Sequence, residues 1–332
     1  MNQHDLIAEV LARRTERSAD RRAFLKVAGG TGAALAGASL LGACTDGPNA
    51  GVVATPTPSP TPTPSPSALT DQDVLNFALN LEYLEAQFYS YAANGVGLPG
   101  TLLAGQGTQG NVNGGRQVAF SDPLVRAYAR EIAADEQAHV AFLRGALGGS
   151  AVGQPAIDIS ADAGGAFSAA ARAAGLITAG QSFDPYANDN NFLLAAFIFE
   201  DVGVTAYKGA IASINNKTFV EAAAGIHAAE AYHAGLIRTV LFRKGLATPS
   251  LIDSTEAISN ARDSLDGPSD LDQGIRPIGA ASNIVPTDSS GIVFSRTTGQ
   301  VLNIAYLTRL ATDRGGFFPA GVNGTIRLSA AN

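Results

Sequence analysis

Residues 192–207 read FLLAAFIFEDVGVTAY, a run that is apolar nearly all the way round a helix. A helix of that kind is buried on most of its faces. Glu200 stands in the middle of it. An unpaired buried carboxylate is prohibitively costly, so Glu200 must keep a proton, find a partner or bind a metal ion. The fold therefore has to supply other helices to cover this one, together with something to receive its carboxylate.

Three further long segments show helical apolar spacing. The first spans about residues 71–93, with Thr70 or Asp71 as its N-cap. The second opens at Ser121-Asp122-Pro123, a cap followed by proline in the first turn, and runs to Leu147 before Gly148-Gly149. The central segment covers about 191–214. The last starts at Thr218-Phe219-Val220-Glu221, which reads as a capping box, and ends at Lys244 with Gly245 as its stop. The third and fourth segments are separated by only a few residues, so they should be antiparallel neighbours. Residues 148–190 are enough to cross the length of a bundle. The insert at 94–120 contains Gly105-Gln106-Gly107-Thr108-Gln109-Gly110, a formal dinucleotide fingerprint with neither a strand before it nor a helix after it, and it is set aside. Beyond Leu246 the pattern breaks into short pieces, with a helix near 298–310. This tail is expected to pack on the bundle.

Histidine is scarce, four in all, so each position is informative. Glu136-Gln137-Ala138-His139 and Glu230-Ala231-Tyr232-His233 repeat one spacing. Residues three apart lie about 60° round a helix and about 4.5 Å along it, so each Glu and His share a face and can clamp one divalent cation. In the first segment, LNFALNLEYLEAQFY sets Glu82 and Glu85 within an apolar stripe. Glu82, Glu136, Glu200 and Glu230 all fall about 9–13 residues into helices of roughly 24, so a bundle brings them together near mid-height. The sum is four carboxylates and two imidazoles; the carboxylates repel one another unless neutralised, and two divalent cations supply +4 against −4. Glu85 is left between a solvated face and a place behind the ligands. His227, one turn before Glu230, is a core or rim histidine or a hydrogen-bond donor to a ligand. Asp135 and Asp201 are expected at helix surfaces or between helices, and Glu131 in solvent.

This ligand set resembles the ferritin-like dimetal carboxylate proteins, in which two helices give one Glu each and two give Glu-x-x-His. Glu82…Tyr89 and Glu200…Tyr207, both Glu-x6-Tyr, extend the resemblance. Each tyrosine lies on its glutamate's face but roughly 10 Å along the axis, as a core residue or a redox group behind the ligands. More narrowly, LNFALNLEYLEAQFY, FEDVGVTAYKGA and the late GGFFPAGVNG (315–324) resemble the family that includes plant desiccation-related proteins and exported bacterial ferritin-like domain proteins. The resemblance implies an all-α, ferritin-like four-helix bundle over residues 70–246 with long inserts, and an irregular C-terminal extension over 247–332.

The rest of the chain bounds the biology. It has 332 residues, 46% hydrophobic, with a net charge of −7, which gives no electrostatic footprint for nucleic acid. A single cysteine, Cys44, excludes an intrachain disulfide framework and a Cys-based zinc site. Arg21-Arg22 before a weakly apolar Gly/Ala stretch resembles a twin-arginine export signal, and Leu41-Gly42-Ala43-Cys44 resembles a lipoprotein cleavage box. The alternative, a transmembrane helix, is marginal at roughly 18 glycine-rich residues. Residues 1–43 thus read as a leader and 44–69 as a Pro/Thr/Ser linker. As an extended polyproline-type spacer at about 3.1 Å per residue, it reaches roughly 75 Å from a lipid anchor at Cys44.

Carboxylate and imidazole ligands suit iron or manganese, and six protein ligands leave open positions on two metals. The leading expectation is a dimetal oxidoreductase (ferroxidase-, peroxidase- or catalase-like) acting on oxygen or peroxide. In it Glu136/His139 and Glu230/His233 each clamp one metal, and Glu82 and Glu200 complete or bridge them. It would be exported through the twin-arginine machinery, lipid-anchored at the periplasmic or cell surface, and tied to oxidative or desiccation stress. The rival is a tethered, non-catalytic stress-protection protein whose metal fastens four helices. A closed iron-storage cage fits poorly with the leader and tail, although a homo-oligomer is compatible with the sequence.

Overall fold

The computed structural model describes residues 69–332; the readings at Arg21, Arg22 and Cys44, and the proline-rich spacer through residue 68, lie outside the described residues. Helix α1 (Asp71–Asn94) starts at a reciprocal cap: the Thr70 hydroxyl accepts from the Asp73 amide, and the Asp73 carboxylate accepts from the Thr70 amide. It stops at Gly95, whose φ of 78° is open to glycine at little cost. Helix α2 (Pro123–Leu147) starts with Asp122 accepting from the Leu124 amide, and Pro123 falls where no donor is needed.

The long inserts lie against each other. In the first, β1 (Val112–Gly114) pairs in parallel with β2 (Ile157–Ile159) of the second, Val112 opposite Ile157, so a two-stranded sheet joins the otherwise helical fold. The Gly105–Gly110 stretch runs beside it. A Cβ on Gly110 would sit 2.1 Å from the Ala156 amide nitrogen, so the glycine there permits backbone-to-backbone contact and has nothing to do with a nucleotide. The second insert also carries a short helix, α3 (Ala166–Ala173).

Helix α4 (Asp189–Ile211) is capped by Asn188. Helix α5 (Lys217–Gly245) is capped by the Asn216 side chain, which accepts from the Thr218 amide, and the capping box read at Thr218/Glu221 does not form. The reason is tertiary. The Asp71 carboxylate receives the Asn215 and Asn216 amides at 2.8 Å each and fixes the turn upstream of Thr218. Helix α1 packs along α2 and α4 along α5, and contacts of α1 with α4 and α2 with α5 close the four-helix bundle. Its aromatic centre is Phe88, with Phe167, Phe192 and Phe199 at ring-centroid distances of 5.4, 5.7 and 5.5 Å. None of the helices among the described residues is long and apolar enough to cross a membrane.

The C-terminal residues add α6 (Ser250–Asp266) and α7 (Thr298–Tyr306), both packed against α4. Their attachment is ionic and buried. Asp201 of α4 accepts from Arg238 of α5 at 2.8 Å and from Arg262 of α6 at 3.0 Å. Asp272 then joins Arg262 (2.7 Å) to Arg296 (2.6 Å), which also meets Asp266 at 2.7 Å. Asp201 is thus an interhelix group, deep in the protein, directly beside Glu200.

Candidate metal centre

Buried apolar stripes on the four bundle helices leave few inward positions for polar groups, and those few converge. Glu82, Glu85, Glu136, Glu200 and Glu230 are all buried, as is His233, and His139 is nearly so. The donor atoms fall into two sets, Glu82–Glu136–His139–Glu230 and Glu136–Glu200–Glu230–His233, with the atoms of each set within 4.8 Å of one another. All six residues singled out by spacing and burial lie in this one place. Their division differs from the sequence reading, however. Glu136 and Glu230 belong to both sets and are the bridging candidates, whereas Glu82 and Glu200 each serve one. Only side-chain direction across the interface decides this, and spacing along single helices does not contain it.

His139 Nδ1 lies 3.2 Å from Glu82 Oε2, 3.5 Å from Glu136 Oε2 and 3.7 Å from Glu230 Oε1. His233 Nδ1 lies 3.1 Å from Glu136 Oε1 and 3.5 Å from Glu200 Oε2. These approaches around His233 lack hydrogen-bond geometry. Both oxygens of Glu136, both of Glu230, Glu200 Oε2 and His233 Nδ1 are buried without a hydrogen-bond partner. Sealed acceptors aimed at one another without protons between them are costly in a folded protein. Two oxygen- and nitrogen-liganded cations would satisfy all of them, so the residues fit such a centre.

The titration pattern has the same origin. Burial, then the Glu136 charge, pushes Glu82 up to about 7. Burial and the surrounding carboxylates drive Glu85 and Glu230 well above the usual range, and burial also raises Glu200. Glu136 runs the other way. Burial would raise it, but the two imidazoles hold it down at about 2. Against the effect of burial, the carboxylates push His139 up to about 10 and His233 to about 12. Without cations, protons occupy the place of positive charge.

Glu85 is therefore a fifth buried carboxyl and not a solvated one. The tyrosines cross over. Tyr89 of α1 donates to Glu200 Oε1 of α4, and Tyr207 of α4 donates to Glu82 Oε1 of α1. Each phenol fixes one oxygen of the facing helix's glutamate, leaving the other to turn inward. His227 stays outside the cluster, near Val204 and Lys208, and burial lowers its pKa. Glu131 is exposed.

Two functional positions escaped sequence reasoning. Asp135 Oδ2 lies 3.2 Å from His233 Nε2, so it can hold the ring with Nδ1 turned to the cluster. Gly203 lies one turn after Glu200, and a Cβ there would fall 2.3 Å from Glu230 Oε2. A glycine inside a buried helix costs about 1 kcal/mol relative to alanine, and that local penalty was the available signal.

A four-helix bundle enclosing overlapping carboxylate–imidazole sets defines the class of ferritin-like proteins with room for two metal ions. The chain belongs to the ferritin-like domain family, whose profile matches residues 70–243. It is 30% identical over 267 residues to the desiccation-related protein PCC13-62 of Craterostigma plantagineum, covering 77% of this chain and 83% of that one. It is also 30% identical over 269 residues to the ferritin-like catalase Nec2 of Nesocodon mauritianus, covering 77% and 84%. No solved structure gives a significant match.

Proposed function

We propose that this protein holds two iron or manganese ions in the bundle and uses them in redox chemistry with oxygen or peroxide. The observation that carries the reading is the set of sealed, unpartnered oxygens on Glu136, Glu200 and Glu230. The name of the Nesocodon relative, a ferritin-like catalase, supports peroxide as one substrate. When bound, such metals supply reversible electron exchange with oxygen or peroxide.

The chain's own contributions follow from the geometry. Glu82, Glu136, His139, Glu200, Glu230 and His233 bind, with Glu136 and Glu230 shared. Asp135 orients His233. Tyr89 and Tyr207 stay protonated, because burial and the neighbouring carboxylates raise both phenols well above their ordinary value, and they orient Glu200 and Glu82. Burial and the neighbouring carboxylates favour the neutral form of Glu85 beside the cluster, and the apolar core excludes bulk water. By the leader and spacer, the protein is exported through the twin-arginine machinery and tethered at Cys44, and it serves in oxidative or desiccation stress.

A second reading has its own support. The cluster links all four helices, so metal could serve as a fastener in a non-catalytic stress protein. The test is elemental analysis of protein purified after export, with peroxide turnover and Fe(II)-dependent oxygen uptake measured for native protein and Glu200→Ala. Near two iron or manganese per chain, with turnover lost in Glu200→Ala, is expected. Full metal content without turnover would overturn the redox reading in favour of the fastener.

A further inference from the structure

A cavity of about 30 Å³ lies between α1, α4 and α7. Its walls include Leu84, Phe199, Val202, Ile304 and Ala305, with Phe317 from the GGFF stretch, and Glu85 is the one residue there with a polar side chain. Gly203 also lines it, and a Cβ at Gly203 would lie 3.4 Å from Glu85 Oε1 and 2.3 Å from Glu230 Oε2. The cavity and the carboxylate cluster therefore adjoin at Gly203 and Glu85, where the Glu230 carboxylate takes the space a side chain on Gly203 would need.

Size and lining select the occupant. A water molecule needs roughly 10–15 Å³ of such space, so the volume suffices for a molecule of two heavy atoms. A water also needs two to four polar partners, and this lining offers one carboxyl. Peroxide, which donates and accepts like water, meets the same deficit. A weakly hydrated diatomic loses almost nothing on entry. We propose that the cavity is a docking site for dioxygen beside the cluster, with Glu85 and Gly203 at its boundary with the cluster and the α7–Phe317 segment of the tail as its roof. The assignment of dioxygen rests on the redox reading above; the apolar site itself does not.

Xenon is the probe, since apolar cavities take it up. The full chain, metal-free and metal-loaded, is exposed to xenon under pressure and read by crystallography or by xenon NMR. Xenon is expected next to Ala305 and Gly203 in both forms. Ala305→Leu, which fills the space away from every proposed ligand, should abolish that occupancy and raise the KM for oxygen severalfold at unchanged metal content. Ala305→Val, a smaller filling, keeps the test available if Leu impairs folding, and it should give intermediate values. Absence of xenon from the cavity overturns the proposal. So does an oxygen KM unmoved in both variants. If native protein turns over peroxide but consumes no oxygen, the dioxygen assignment falls and the redox reading stands; if it turns over neither, both fall, and xenon occupancy decides the apolar site alone.

Discussion

Glu230→Gln should have opposite effects on the metal-free and metal-loaded protein. Both Glu230 oxygens are buried and unpartnered, and burial with the surrounding carboxylates raises the group well above its ordinary 4.5. Each unit of that rise corresponds to about 1.36 kcal/mol, set against the metal-free fold once the pH passes 4.5. Glutamine avoids that cost but brings a buried amide without partners, worth about 1–2 kcal/mol against it. The metal-free variant should thus melt higher than native at neutral pH, each net kcal/mol adding about 2–4 °C to Tm for a domain of this size. With metal the sign reverses, because Glu230 belongs to both donor sets and a neutral amide replaces a shared carboxylate. Calorimetry or dye-monitored melting with and without metal, alongside metal titration, gives both numbers. Metal binding should fall further than in Glu82→Gln, which touches one set. A variant that melts lower than native without metal, or that binds two ions as native does, would refute the reasoning.

Asp201→Ala leaves the buried guanidinium of Arg238 with backbone carbonyls alone and that of Arg262 with Asp272 as its remaining carboxylate, and breaking a buried pair in this way costs about 3–5 kcal/mol. A Tm lower by roughly 10 °C is expected, while Asp253→Ala, at an exposed pair with Arg276, should leave Tm unchanged. Above about pH 4.5, where the contribution of the depressed Glu136 is already complete, stability of the metal-free protein should fall as pH rises. Glu82, raised by burial to about 7, folds best with its proton and loses that advantage between 4.5 and about 7. The stabilisation from raised His139 and His233 is complete below 6.5 and lost as pH climbs through about 10 and about 12, so both kinds of group act in one direction. Bound metal, which competes with those protons, should reverse the slope between pH 6 and 8 in melting experiments. A metal-free Tm that rises with pH over that range would contradict the charge assignment.

The four bundle helices were legible because their information is local. Apolar spacing and the caps at Thr70 and Asp122 act within a turn or two of the chain. The identity of the cluster was legible for a related reason: a carboxylate such as Glu200 within an apolar run states by itself that something must neutralise it. What remained hidden depends on groups far apart in sequence. Asn216 caps α5 because Asp71 reaches across from α1. Tyr89 and Tyr207 exchange glutamates between α1 and α4, and Asp135 meets His233 from another helix. The division into shared Glu136 and Glu230 and unshared Glu82 and Glu200 exists only once the helices are set at one height and rotation. The tail illustrates the limit most clearly. Arg238, Arg262 and Arg296 look like surface charges in a linear reading, and only the packed structure supplies the aspartates that allow three guanidinium groups to be buried. Short-range hydrogen bonding and periodicity are written in consecutive residues, whereas pairing of charges across helices is set by the packing that brings them within reach.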